Sequence, residues 1–224
     1  MTPGAGSTRT DVVYQQLRTD ILNGRLEPGQ RLRFEQLSQE YGVSSGVLRE
    51  ALPRLAGEGL ATLLPQQGYR VISVSPEDLR HLTEARIAIE TQVLRQSIGS
   101  GPVEWESEVV AAHHTLSRME MLTADGVVSD EWRAAHADFH RALLAGCPNV
   151  RLRAIADSMR EVAEVYRGWS AGPGLAAERD VAAEHKALAE AATARDADAA
   201  CDLLARHIQL TTDLLLGSVA ENVS

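Results

Sequence analysis

Residues 34–58 read FEQLSQEYGVSSGVLREALPRLAGE, and the fold turns on how this stretch divides. Phe34–Tyr41 has the length of a short helix with Leu37 inward, closed by Gly42. Ser44 is a good N-cap, and from Ser45 to about Glu58 the residues Val47, Leu48, Leu52 and Leu55 recur at helical spacing until Gly59 stops the run. Two helices joined through Gly42-Val43, the second opening on small polar residues, form a helix-turn-helix pattern. In such a motif the second helix enters the major groove with its N-terminal residues facing base edges. That places Ser44, Ser45, Gly46 and Arg49 at the groove, where the Arg49 guanidinium can take guanine or a phosphate. Arg33, before the first helix, and Arg54, further along the second, are placed for backbone phosphates. The same spacing also suits a plain three-helix cluster with solvated arginines.

Working outward, Val12–Asn23 carries Val13, Leu17, Ile21 and Leu22 at helical spacing and ends at Gly24; Glu27-Pro28-Gly29 is a turn. Leu60–Leu64 and Tyr69–Ser73 are β-prone runs around Pro65-Gln66-Gln67-Gly68. They predict a hairpin whose tip, Gln67-Gly68, is a wing reaching a neighbouring groove. Met1–Thr10 is rich in Pro, Gly, Ser and Thr without the apolar core of a signal peptide, and reads as a flexible tail over 1–10 on a cytoplasmic protein. A winged helix-turn-helix is therefore expected over 11–75.

From residue 76 the pattern is helical throughout. Ser75-Pro76-Glu77-Asp78 joins an N-cap, a proline at the first helical position and early acids. Helices are predicted at 76–98, 103–123, 130–146, 150–169, 176–194 and 197–217. Breaks fall at Gly99-Ser100-Gly101-Pro102, Asp125-Gly126, Pro148-Asn149 and Gly172-Pro173-Gly174. The fold class is mainly α, with an all-helical bundle over 76–219.

Composition fits this division. No apolar run approaches the roughly 18 residues of a membrane span. Cys147 and Cys201 lack the spacing of a zinc ribbon or redox motif and read as small buried residues. The formal net charge of −9 argues against nucleic acid only as an average. Residues 1–75 carry eight Arg against seven acids, whereas 76–224 carry 14 basic and 24 acidic residues. Phosphate binding needs a local positive cluster, not a basic whole.

Three of the later helices place histidine on an apolar stripe. His136 and His140 stand at i,i+4 in a row continued by Leu143; His185 lies between Val181 and Leu188, and His207 between Leu203 and Leu210. Side chains four apart share a helix face, so His136 and His140 can ligate one ion, with other helices completing the set inside a bundle. Each is equally readable as a core histidine with an ordinary hydrogen bond. Arg86 occupies an apolar slot in the stripe Leu79, Leu82, Arg86, Ile89, Val93 and needs a partner, because uncompensated burial of charge is costly. Glu90, one turn on, is the structural partner; a ligand carboxylate is the functional one. The stripe Leu152, Ile155, Met159, Val162, Tyr166, Trp169 reads as core, with Tyr166 a candidate pocket residue.

The run Leu17-Arg18, Ile21–Gly24, Pro28–Leu32, Tyr41–Ser44, Arg49–Leu52, Glu58–Leu60 and Gly68–Val71 resembles the winged helix-turn-helix of the GntR family. The resemblance implies DNA contacts at Arg33, Arg49 and the wing around Gln67-Gly68. After Ser44 the family commonly has Arg, Thr and Pro, where this chain has Ser45, Gly46 and Val47, so one base-reading arginine is missing. Further on, Leu82, Arg86, Ile89-Glu90, Phe139–Leu143, Asn149, Glu184–Leu188 and Arg206–Ile208 resemble the FCD effector domain of the FadR subfamily. That resemblance implies a helical bundle holding a divalent metal through one Asp and three His, and small carboxylate effectors. His140, His185 and His207 match the three histidines, and His136 stands where the family has Asp. Asp138 points to nearly the opposite face from His140. The exchange of Asp for His favours zinc or nickel over manganese or magnesium. His81, His113 and His114 match nothing in the pattern.

The sequence thus predicts a ligand-responsive regulator, a homodimer on a double-stranded operator; the resemblance implies repression released by a carboxylate, with activation the alternative. The rivals are a metal-dependent enzyme, which lacks a general base or nucleophile beside the histidines, and a helical protein-interaction module without DNA contact.

Overall fold

A computed structural model of the chain describes residues 8–124, 128–170 and 179–222, with the backbone alone at 169–170 and 218–222. In chain order the elements are α1 (Arg9–Leu22), β1 (Arg31–Leu32), α2 (Phe34–Glu40), α3 (Ser45–Gly57), β2 (Ala61–Leu64), β3 (Gly68–Val71), α4 (Pro76–Ser100), α5 (Val103–Ser117), α6 (Asp130–Ala145), α7 (Val150–Ser170), α8 (Val181–Thr193) and α9 (Ala197–Asn222). They form two compact units, one of residues 1–75 with 160–169, the other of 76–159 with 170–224.

In the first unit α1 starts earlier than its apolar spacing suggests. Thr8 and Asp11 make a capping box: the Asp11 N–H donates to Thr8 Oγ1 at 3.2 Å, and the Thr8 N–H donates to the Asp11 carboxylate at 3.0 Å. Residues 8–10 are therefore helix and helix cap rather than tail; residues 1–7 of the expected tail lie outside the described residues. Leu17 and Ile21 from α1, Leu37 from α2 and Leu48, Leu52 and Leu55 from α3 are sealed in one core. The turn between α2 and α3 passes through Gly42 at φ 62°, and Arg9 donates to the Gly42 carbonyl. The expected hairpin is present, running from Ala61 opposite Val71 to Leu64 opposite Gly68. Its turn uses positive φ at Gln66 and Gly68. A third strand, β1, pairs with β3 through Arg31 and Leu32, giving the order β1-β3-β2. Two residues are too few to leave a periodic signal.

The first unit is not contiguous in sequence: it combines residues up to Ser75 with Arg160–Trp169. The later part of α7 belongs to it: Val165 is buried in this core, and Arg18 pairs with Glu161 at 2.6 Å. The α7 stripe is accordingly divided, and Ile155, expected in a core, is exposed.

The second unit has its own core, in which Val93, Leu94, Trp105, Phe139, Leu143, Leu188, Leu204 and Ile208 are buried together. Trp105 satisfies its indole N–H on the Ala142 carbonyl at 2.8 Å. Arg195, from the α8–α9 turn, donates to the carbonyls of Ile98 and Gly101, closing the end of α4. Cys147 and Cys201 are buried thiols. Helix α5 stops at Ser117, short of the expected 123, because the chain turns back and Leu122 bridges Val128. The Asp125-Gly126 and Gly172-Pro173-Gly174 breaks lie outside the described residues. So does the expected start of the 176–194 helix. The helix is described from Val181, where the Asp180 carboxylate caps the Ala183 N–H at 2.9 Å. Among the described residues no helix is long and apolar enough to cross a membrane.

Candidate DNA-reading surface and metal centre

The first unit offers an exposed reading edge. Ser44, Ser45, Gly46 and Arg49 are all exposed at the N-terminal end of α3, and Ser45 and Arg49 share a face one turn apart. Ser44 is the N-cap residue, although its hydroxyl makes no capping hydrogen bond. Arg33, at the N-cap of α2, and Gln67, at the hairpin tip, are exposed too, while Gly68 is half-buried. The wing tip is tethered: Arg31 Nε donates to the Gln67 carbonyl at 3.0 Å. Arg54 is exposed, but its guanidinium is engaged within the unit, 2.7 Å from Asp11 and 4.0 Å above the Tyr14 ring. The Tyr14 hydroxyl in turn donates to Glu58, and burial together with that carboxylate pushes the phenol up.

The second unit gathers all four histidines of the apolar stripes. His136 and His140 come from α6, His185 from α8 and His207 from α9. All are buried, and one ring nitrogen from each lies within 4.8 Å of the others. The ring centroids of His136 and His140 are 4.6 Å apart, and those of His185 and His207 4.9 Å. The helices dictate this meeting: His136 and His140 are one turn apart on a face whose next member, Leu143, is core. Nitrogens bound to one ion at about 2.1 Å would stand roughly 3.4 Å apart, so the spacing of the four rings fits a shared ion. The donor set fits a divalent metal ion of borderline softness.

Around the imidazoles the packing is specific. The Trp132 ring stacks on His136, 4.6 Å between centroids and 17° between planes. His207 Nδ1 lies 2.9 Å from Glu184 Oε2, and Arg179 makes a two-pronged ion pair with the same carboxylate. Burial pushes the Glu184 carboxyl up, but the hydrogen bonds from His207 and Arg179 outweigh it and hold it at about 2. Glu184 and Arg179 escaped the sequence reading as centre residues. Glu184 was visible only as a member of the Glu184–Leu188 run, and Arg179 precedes α8, out of helical register with its partners. Asp138 pairs with Arg141 in solvent, away from the centre.

A cavity of about 260 Å³ adjoins the centre, lined by Leu116, Met121, Trp132, Val181, His113 and His185. Burial shifts His113 toward its neutral form, partly opposed by the charge of Glu190. His81 is exposed.

Arg86 and Glu90 are both buried, and Arg86 Nε donates to Glu90 Oε1 at 2.7 Å. The partner this guanidinium requires is thus present in the chain. Tyr166 lies in the later part of α7. It belongs to the first unit, fully buried, with its hydroxyl 3.4 Å from the Ser75 N–H.

Comparison with known proteins agrees with both halves. Residues 9–71 match the family described as "Bacterial regulatory proteins, gntR family", and residues 81–210 match the FCD domain. The HTH-type transcriptional regulator BphR of Paraburkholderia xenovorans is 38% identical over 201 residues, covering 89% of this chain and 82% of that protein. The HTH-type transcriptional repressor GlaR of Escherichia coli is 34% identical over 212 residues, covering 93% of this chain and 96% of that one. Among solved structures, E. coli McbR/YncC shares the fold, with a TM-score of 0.73 at 20% identity over 94% of this chain and 98% of that one.

Proposed function

Since the chain belongs to the GntR family of bacterial regulatory proteins, with an FCD domain, and is a DNA-binding transcriptional regulator, we propose that its helical unit binds a divalent metal ion and a small carboxylate effector that together set its operator affinity. The observation that carries this reading is the convergence of four buried imidazoles from three helices. Four nitrogen donors without a carboxylate suit zinc or nickel better than manganese or magnesium. A bound ion supplies a Lewis-acidic centre able to accept an anionic oxygen of the effector. The adjoining cavity has room for the rest of a small molecule, since about 150 Å³ already holds benzene.

At the DNA, Arg49 reads the major groove from α3, Arg33 contacts phosphate, and Gln67-Gly68 approach the flanking groove. Ser45 and Gly46 offer hydroxyl and backbone contacts where relatives place an arginine. Arg54 serves first as the partner of Asp11 and reaches phosphate only by exchanging it. The regulator works as a homodimer on a two-fold operator, and an effector that binds one dimer conformation more tightly shifts the population toward it. A carboxylate that lowers operator affinity makes it a repressor.

The reading is tested by gel shift with duplexes from around the protein's own gene, and by elemental analysis of untagged protein. A shift that disappears in Arg49→Ala, and one equivalent of metal that disappears in His140→Ala/His185→Ala, are expected. No shift with any such duplex, or metal unchanged in the double variant, overturns the corresponding half.

A further inference from the structure

The proposed centre has an unusual charge balance. Its four donors are all imidazoles, so no ligand carries a negative charge to offset a divalent ion. A carboxylate stands one step further out. Glu184 Oε2 is 2.9 Å from His207 Nδ1. Arg179 fixes that carboxylate with a two-pronged ion pair and donates to the His207 carbonyl at 3.0 Å and to Thr211 Oγ1 at 2.9 Å. An ionised carboxylate only accepts, so the Nδ1 it faces carries the proton and donates. That leaves Nε2 as the lone-pair nitrogen of His207, and Nε2 is the other buried ring atom. The Arg179 guanidinium also lies 3.0 Å from Nδ1, but a protonated nitrogen cannot accept from it. Arg179 therefore acts on the ring through Glu184.

We infer that Glu184, held by Arg179, is a positioning residue of the metal site: it fixes the tautomer and orientation of His207 and supplies from outside the ligand set the negative charge that four imidazoles lack. The inference rests on the reading of the four histidines as metal ligands. Carboxylate–histidine–metal chains raise the donor strength of the imidazole, and loss of the outer partner typically weakens binding about 10- to 100-fold. His207 has the Glu184 carboxylate at hydrogen-bond distance from its ring.

The experiment titrates Co²⁺ into metal-free wild type, Glu184→Gln and Glu184→Ala, following the visible ligand-field bands and competition with a chelator. Circular dichroism and the melting temperature of each metal-free form control for folding. Glutamine keeps an acceptor for Nδ1 but loses the charge, so about a tenfold loss of affinity and shifted bands are expected; alanine loses both, and about 100-fold is expected. Should alanine fail to fold, the near-isosteric glutamine variant still decides. Co²⁺ binding by wild type with unchanged affinity and bands in a folded Glu184→Gln overturns the inference while leaving the four-histidine site standing. Failure of wild type to bind Co²⁺ overturns both.

Discussion

Gly168 on α7 stands so close to the end of α1 that a Cβ at this position would lie 2.1 Å from the Leu22 carbonyl oxygen. The obstacle is backbone, so it cannot swing aside as a flexible side chain would. Gly168→Ala must separate two packed helices of the first unit, and overpacking of this kind costs about 1–3 kcal/mol. The expected result is a lower urea midpoint for the first unit and weakened operator binding. An unchanged midpoint contradicts the packing described.

The Asp11 carboxyl is held at about 2 in the folded protein, against 3.8 unperturbed, chiefly by the hydrogen bond from Arg54 and then by those from Thr8. A carboxyl with a depressed folded pKa stabilises above its unfolded value and loses that contribution as pH falls toward the folded one. Wild type should therefore be more stable than Asp11→Asn at pH 6, with the difference narrowing by pH 3. Urea midpoints at the two pH values measure this. An equal gap at both would mean that the Asp11 charge contributes nothing.

Arg86 and Glu90 make a second test, this time of structure against ligand binding. Removing one member of a buried pair strands the other charge and costs about 3–5 kcal/mol, whereas replacing both with apolar residues is often neutral. Arg86→Met and Glu90→Leu should each lower the melting temperature sharply, and the double variant should recover it. If the recovered double variant also retains its effector response, the role of Arg86 is the ion pair alone. Loss of the response in a stable double variant assigns it to the effector.

Trp132, stacked on His136, gives an optical report on the centre. Co²⁺ or Ni²⁺ bound to the histidines should quench its fluorescence, and Zn²⁺, with its filled d shell, should do so far less. Trp132→Phe should remove most of the Co²⁺ effect, leaving Trp105 and Trp169. Equal quenching with and without Trp132 would place the ion elsewhere.

Local chemistry made much of this protein legible in its sequence. Gly42, Ser44 and Gly59 punctuate the two reading helices, and the four-residue spacing of His136 and His140 fixes their common face. His185 and His207 stand on apolar stripes of their own helices, and the bundle brings all four rings together. What stayed hidden depends on long-range packing. The α7 stripe is continuous in sequence, yet its residues serve two cores, which no periodicity reveals. Arg54 reads as a solvated arginine until α1 brings Asp11 to it, and the Thr8 cap lay inside a segment whose composition suggested a tail. Glu90, one turn from Arg86, is a partner that the helical spacing itself offers, and the two are paired.

The histidines sit on three separate helices, and the chain between His136 and His207 includes all of α7 and α8. An ion shared by them would act as a staple, joining distant stretches of chain as a disulfide would, but removable by a chelator. On that proposal, metal supply would itself set how firmly the helices of the second unit are tied together.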